Sequence, residues 1–482
     1  YLLMKSVTRL RGMHDTPQDF WLRKRNLQDR LVQLIGSYGY RYLETPILES
    51  TELFLRKSGG ELTSRMYSFT DAGSNSVSLR PEFTSPIVRH YLEHAQDVAL
   101  PARWQYAGPV FRYDKGGQGS GQFTQVGAEL LGSSSVMSDV ELLGLASHVP
   151  FQLGLSGYQI RVADLDVVHS VLDAVGVSER ARTFIIESVP QLKEGRKAVP
   201  GVLERARHLH LAVEEAPDDA LSQAIQGLDD TQSRKVLHGL LNWTAADQFG
   251  QRDPDEVVER LLRKLRGGDD LAVLEKALNL ISDLAGISGD PAASVAALRA
   301  VVTAAGANMA AVDRFEEFLN LVRSEPGVAQ SLVVDLGLVR GLAYYNGLVF
   351  EVTHPRCATP LAGGGRYDGL ARALGSPDPL PALGFAYTLE SLLAVTEGSD
   401  NGKGGASEAD GALVMAWDSE SYRPALQAAA DLRQQGVQTE LDVCGRDLSQ
   451  GLDYARKMGI AQVIVVNRDG QQTIHDTRSR QW

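Results

Sequence analysis

Four separated stretches of the chain carry side chains able to hold a small charged ligand. The first, Leu79-Arg80-Pro81-Glu82-Phe83-Thr84-Ser85-Pro86, contains Glu82. The second runs Val110-Phe111-Arg112-Tyr113-Asp114 and resumes at Gln122-Phe123-Thr124-Gln125-Val126-Gly127-Ala128-Glu129. The third, Leu338-Val339-Arg340-Gly341-Leu342-Ala343-Tyr344-Tyr345-Asn346-Gly347, places Arg340 ahead of two tyrosines. The fourth is Gly363-Gly364-Gly365-Arg366-Tyr367-Asp368-Gly369. Glu82, Gln125 and Glu129 can accept hydrogen bonds from N–H groups, charged or neutral. Arg112 and Arg340 offer planar forks that match a carboxylate or a phosphate. Tyr344, Tyr345 and Tyr367 add hydroxyls and an aromatic wall. Buried charges of this kind need partners, because an unpaired one is costly. Each stretch alone also reads as a strand with a structural ion pair, and Gly363 to Gly365 alone as a turn.

Two other patterns carry less. His90-Tyr91-Leu92-Glu93-His94 has the HxxEH spacing that sets two histidines on one helical face. A catalytic zinc needs a third protein ligand and a positioned base. No partner motif supplies them, so this segment reads as a solvated helix end and no metal site is expected. The loop Lys115-Gly116-Gly117-Gln118-Gly119-Ser120-Gly121 could cradle a phosphate through backbone amides, but reads more simply as a hairpin turn. Neither GxxxxGK[ST] nor GxGxxG occurs.

The elements that must position these residues are legible in outline. The 482 residues suggest about three domains. With 43% hydrophobic and 22% charged residues, the composition is that of an ordinary folded protein. A formal net charge of −12 argues against a generally polycationic nucleic-acid binder. The two cysteines, Cys357 and Cys444, lie far apart, which suits a reducing cytoplasm. No run of apolar residues is long enough to span a membrane, and the first residues are too short for a secretory leader. Residues 19–38 have helical spacing, with Leu22, Leu27, Leu31, Leu34 and Ile35 on one face. Tyr40 to Glu49 reads as an extended strand broken by Pro46. Met66 to Thr70 and Ser76 to Arg80 alternate as a hairpin across Asp71-Ala72-Gly73. Pro81 to His94 reads as a helix. Strands are expected at Ala102 to Tyr113, Gln122 to Gly132, Ser331 to Val334, Leu348 to Thr353 and Ala382 to Ala386. Residues 165–326 read as a helical insertion, with Pro254 to Leu265 and Leu271 to Leu284 among its helices. Residues 1–164 and 327–397 then form one core. Residues 398–411 are rich in Gly, Ser, Asp and Glu and read as a linker. Residues 412–482 follow a βαβαβ pattern, a small α/β domain with a mostly parallel sheet.

In their order, the four stretches resemble the histidyl-tRNA synthetase family, and the resemblance covers nearly the whole chain from Arg11-Gly12 onward. The third and fourth look like that family's two histidine signatures, and Thr45-Pro46 with its flanks is similar to the class II dimer motif. The resemblance implies an α/β fold with an α+β core: an antiparallel class II sheet with flanking helices, a helical insertion and an anticodon-binding-like C-terminal domain. It also implies a histidine pocket formed by Glu82, Arg112, Gln125, Glu129, Arg340, Tyr344, Tyr345 and Tyr367.

The catalytic part of the family pattern is incomplete. An arginine late in the second motif's loop is replaced by Gly121. The arginine of the third motif is replaced by Ser391, and Ala343 stands where the first histidine signature carries an acidic residue. Removing one donor from a developing charge costs about 10²–10³ in rate. On these grounds the sequence reads as closest to the family's non-catalytic branch, the regulatory subunit of ATP phosphoribosyltransferase. That branch binds histidine for feedback control of histidine biosynthesis. The reading has no catalytic residue and no cofactor, and it pairs a homodimer with the short-form catalytic subunit in a hetero-oligomer. The alternative is a working histidine–tRNA ligase that uses ATP, Mg²⁺ and tRNA, with Lys115 or Arg366 replacing the missing arginines. A third possibility is a paralogue that binds RNA or protein in another pathway. Residues 411–482 hold nine acidic and eight basic side chains, which makes no obvious basic platform for RNA.

Overall fold

The computed structural model describes residues 7–56, 60–113, 120–213, 228, 230–244, 258, 269–338, 345–396 and 411–477. The chain divides into two compact units, 1–399 and 400–482.

The strands of the first unit are, in order, β1 (Arg41–Tyr42), β2 (Leu48–Ser50), β3 (Ser68–Thr70), β4 (Ser76–Leu79), β5 (Ala102–Phe111), β6 (Gln122–Leu131), β7 (Gln159–Asp164), β8 (Ala212–Val213), β9 (Asp269–Asp270), β10 (Ser288–Gly289), β11 (Leu332–Asp335), β12 (Leu348–Thr353), β13 (Ala362–Arg366) and β14 (Ala382–Thr388). Nine of them form one sheet in the order β1-β5-β6-β14-β13-β12-β7-β11-β10. The neighbours from β5 to β7 are antiparallel, whereas β1 runs parallel to β5 and β11 parallel to β7. This is the expected mostly antiparallel sheet with helices packed against it. A smaller sheet, β2-β4-β3, lies beside it. Its β3–β4 turn is closed by Asp71, whose Oδ1 accepts from the amides of Gly73 and Asn75, both at 2.8 Å.

The first helix, Gln18–Ser37, buries Leu27, Leu31, Leu34 and Ile35, so its apolar stripe is read correctly from the sequence except that Leu22 is only partly covered. Pro46 separates β1 from β2, which join different sheets. Thr84–Glu93 forms a helix whose amino end receives the Glu82 carboxylate. That helix starts three residues beyond Pro81, later than the sequence suggests. At its far end the rings of His90 and His94 lie tilted against each other, centres 4.4 Å apart, and Glu93 pairs with Arg89. No cluster of three metal-ligating side chains occurs among the described residues.

The long segment after β7 is mainly helical where it is described, with helices Leu165–Val175, Glu179–Leu192, Val199–His208, Asp230–Thr244, Leu271–Ala285, Pro291–Ala305 and Ala310–Val322 beside the two-residue strands β8, β9 and β10. Two expected features, the Pro254 to Leu265 helix and the linker after residue 397, lie almost wholly outside the described residues. Leu172, Ile185, Leu278 and Leu298 share one continuous core with Val126, Ile160 and Phe350 of the sheet. Polar contacts join the same layers. Asp335, fully buried at the end of β11, accepts from Lys193 Nζ at 2.8 Å and pairs with Arg161.

The second unit has a four-stranded sheet, with β15 (Ala412–Ala416), β16 (Thr439–Leu441), β17 (Gln462–Val466) and β18 (Gln472–Asp476) in the order β16-β15-β17-β18. The first three are parallel, as the βαβαβ reading requires, and β18 adds an antiparallel edge. Helices Tyr422–Gln434 and Leu448–Met458 pack Ala425, Ala428, Ala429 and Ala455 onto this sheet.

Two readings are corrected by the fold. Gly363 to Gly365 is not a turn but the middle of β13, fully buried between β12 and β14. Arg366, at the end of that strand, is 2% exposed and held by Asp139 (Nη2–Oδ1 2.7 Å, Nε–Oδ1 3.1 Å) and the Ser133 carbonyl (2.9 Å). It braces the sheet against the helix Val136–Gln152 and does not supply charge to a ligand. Asp139 is also buried, and without Arg366 it keeps only Arg314, at 3.0 Å. The variant Arg366→Ala should lose about 1.5–3 kcal/mol of stability. Urea unfolding checks this, and a loss below about 1 kcal/mol would show that the pair is not a structural brace.

Candidate functional site

A cavity of about 600 Å³ opens over the middle of the large sheet. Its walls include Glu82, Arg112, Gln125, Tyr345, Gly384 and Ser391. Four of the eight residues singled out from sequence therefore face one space. Glu129 and Tyr367 lie just behind it. Arg340 and Tyr344 lie outside the described residues.

Glu82 is placed by the helix that follows it. Its two carboxylate oxygens accept from the Ser85 amide at 3.2 and 3.1 Å, which satisfies an otherwise orphaned donor of the first turn. Burial pushes its carboxyl up, opposed by the Ser85 bonds and by the Arg112 charge. Arg112 follows β5. Its Nε donates to the Pro81 carbonyl at 2.9 Å, and its guanidinium lies 5.3 Å from the Phe123 ring centre. Gln125, near the start of β6, is buried, and its Oε1 has no hydrogen-bond partner. A buried carbonyl oxygen without a donor is uncommon and points to something missing from the space it faces.

Glu129 is the most enclosed member, 1% exposed. Three hydroxyls surround it: Tyr367 Oη at 2.5 Å, Thr84 Oγ1 at 2.8 Å and Tyr106 Oη at 3.1 Å. These come from the segment after β13, from the helix Thr84–Glu93 and from β5. Room for the carboxylate comes from β14, where Gly384 pairs with Glu129 across the ladder. A Cβ at Gly384 would stand 1.5 Å from Glu129 Oε2, so no other residue fits there without displacing the acid. Burial pushes the Glu129 carboxyl up to about 8, against the pull of its hydrogen bonds and with a smaller push from Glu82. Thr84 and Tyr106 escaped the sequence reading, although Thr84 stands in the first motif two residues after Glu82.

The charged side chains around Ser391 and Arg112 differ from the expectation. Ser391 does line the cavity, beside Glu390. Glu390 accepts from the Thr124 amide at 2.9 Å and from Lys24 Nζ at 3.3 Å. Lys115 falls outside the described residues, and Arg366 is committed elsewhere. Arg65, which no motif flagged, lines the cavity with Arg112. Nothing in its local sequence, Ser64-Arg65-Met66, marks it.

Comparison with known proteins now bears on this geometry. The histidyl-tRNA synthetase family pattern matches residues 12–246 and 247–392. A histidine–tRNA ligase of Methanocaldococcus jannaschii is 28% identical over 473 residues, 97% of this chain and 94% of that protein. One of Sulfurisphaera tokodaii is 30% identical over 396 residues, 82% of this chain and 76% of that protein. This chain belongs to the histidyl-tRNA synthetase family. A crystal structure from Bacillus halodurans C, described as an ATP phosphoribosyltransferase regulatory subunit/histidyl-tRNA synthetase, shares the fold at TM-score 0.65 and 22% identity, covering 97% of this chain and 99% of that one.

These relatives overturn the regulatory-subunit reading. Curated relatives named histidine–tRNA ligase match along nearly the whole length, C-terminal unit included. The link to histidine biosynthesis and the partnership with a short-form ATP phosphoribosyltransferase subunit fall with it. That reading rested on the departures at positions 121, 343 and 391, which full-length similarity to proteins named histidine–tRNA ligase outweighs.

The elevated Glu129 carboxyl gives the fold a defined pH response. An unfolded Glu loses its proton near pH 4.5, whereas folded Glu129 holds it to about 8. Between these values the native state binds more protons, so stability falls as pH rises through that window. Asp164, pushed up to about 7 by burial and by Asp166, adds a separate contribution. Thermal unfolding followed from about pH 5 to about pH 9 should show a shallower decline for Glu129→Gln than for the wild type. Parallel curves would mean that Glu129 is already ionised at neutral pH.

Proposed function

We propose that this protein is a histidine–tRNA ligase, which activates histidine with ATP and transfers it to tRNA. The observation that carries the reading is the pocket of Gln125 and Glu82, backed by Glu129, in which Gln125 Oε1 awaits a donor. A free histidine brings an α-ammonium and an imidazole N–H, which match these acceptors, and a carboxylate, which matches Arg112. Tyr345 and Tyr367 contribute to the aromatic side of the same site. Arg340 and Tyr344 are assigned to it through the family signature. The relatives named histidine–tRNA ligase support the same choice.

In activation, a carboxylate oxygen of histidine attacks the α-phosphorus of ATP, and pyrophosphate leaves. Arg112, anchored by Pro81 and Phe123, is placed to offset charge where carboxylate and phosphate meet. Glu82 and Gln125 orient the amino acid so that only its carboxylate is presented. Mg²⁺ accompanies ATP and suits the hard oxygen donors Glu351 and Glu390 of the cavity wall, where it would neutralise phosphate charge. In transfer, the terminal ribose hydroxyl of the tRNA attacks the activated carbonyl, and AMP leaves. A cytoplasmic setting goes with this activity and with two unpaired cysteines. Among the described residues, no helix is long and apolar enough to cross a membrane.

Histidine-dependent ATP–pyrophosphate exchange is the test. The wild type should exchange, and Arg112→Ala should reduce the rate by about 10²–10³. A folded wild type that binds histidine yet supports no exchange would end the ligase reading.

A further inference from the structure

Arg65 sits where the second-motif loop meets the cavity, although it comes from a distant part of the sequence. It lies between the short helix Gly60–Thr63 and β3. Its carbonyl accepts from the Tyr113 amide at 2.7 Å, and its Nε donates to the Tyr113 carbonyl at 3.4 Å. Arg65 is thus stitched to the residue after Arg112. Arg112 in turn donates its amide to Gly121 at 3.0 Å, and the Gly121 amide donates to Gly12 at 2.7 Å. Residues 12, 65, 112 and 121 therefore meet at one corner, and Arg65, Arg112 and Ser120 all line the cavity there.

A side chain at position 121 would have to displace Tyr67. A Cβ on Gly121 would stand 2.7 Å from Tyr67 Oη and 3.3 Å from Met13 Cε. Tyr67 is held in that place by an edge-to-face contact with Tyr113, ring centres 5.9 Å apart. The space an arginine at 121 would need to leave the backbone is filled by Tyr67. Two residues before Tyr67, a guanidinium reaches the same end of the cavity. The cavity also carries Glu82, Glu351 and Glu390, so without a metal ion at those carboxylates a polyanion is favoured beside Arg65 and Arg112.

We propose that Arg65 binds the phosphate chain of ATP during histidine activation, taking over from the segment before β3 the task that the loop at 121 cannot perform. This rests on the ligase reading. When the histidine carboxylate forms its new P–O bond at the α-phosphorus, the bond to the bridging oxygen breaks and its electron pair departs with pyrophosphate. Arg65 meets that growing charge, while Arg112 remains beside the α-phosphate and the amino acid.

Steady-state ATP–pyrophosphate exchange on the purified full-length protein decides the matter, with calorimetric titration of ATP beside it. Arg65→Ala should raise the KM for ATP by about 10- to 100-fold and leave the KM for histidine within about twofold, and Arg65→Lys should recover part of the loss. An unchanged KM for ATP overturns the proposal. So does a loss of affinity for both substrates together with a lowered melting temperature, since that marks a structural role. If the wild type shows no exchange but binds ATP, and Arg65→Ala abolishes that binding, Arg65 keeps its role and the ligase reading alone falls. If the wild type binds no ATP, both fall.

Discussion

A carboxylate buried among hydroxyls organises the centre of this protein. Glu129 cannot be hydrated where it lies, so its two oxygens must find hydrogen-bond partners within the fold. Tyr367, Thr84 and Tyr106 supply those donors from three separate segments. Gly384 supplies the empty volume from a fourth. Register follows from this. A one-residue slip of β14 against β6 would drive a side chain into the acid and turn the remaining side chains to the wrong face. The acid also fixes the helix Thr84–Glu93 at its first residue, and so the neighbouring Glu82. The binding surface and the sheet are therefore specified by one set of contacts.

Around that acid, the cavity separates two kinds of recognition. One part is rich in acceptors, with Gln125, Glu82 and the dipoles near them. The other gathers the guanidiniums of Arg65 and Arg112. Under the proposed function, an amino acid that is cationic at one end and anionic at the other would lie across the boundary, with its carboxylate turned toward the arginines. The arrangement selects orientation before it selects identity.

Much of this was legible in the sequence because the strands carrying the motifs are regular. β5, β6, β12 and β14 lie within a few residues of their expected bounds, since alternation and flanking glycines mark them well. The pocket members Glu82, Arg112, Gln125 and Tyr345 were found because they share motifs with recognisable neighbours. β13 was ambiguous because three glycines in a row carry no hydrophobic signal, and only the packing of β12 and β14 on either side makes them a strand. β7 was missed because Gln159-Ile160-Arg161-Val162-Ala163-Asp164 is short and gives way at once to helix. Arg65 was invisible for a different reason: its place depends on a backbone pairing with Tyr113, forty-eight residues away. Arg366 misled because an arginine in a glycine-rich motif invites a ligand, yet Asp139 had already claimed it.

The bond between Lys193 and Asp335 bears on how the helical region relates to the rest of the first unit. Asp335 ends β11, next to the edge of the sheet, with no contact to solvent, and one of its two cationic partners is delivered by that region. The apolar layer beneath is continuous across the same boundary. Such a segment cannot behave as a detachable cassette. A truncation that joined β7 directly to β11 would take Lys193 from Asp335, leaving it Arg161 and the Gly337 amide, and would bare the apolar surface that these helices cover. Shortened versions of this protein would then have to evolve a new counter-ion and a new cover together, and neither change alone would be tolerated.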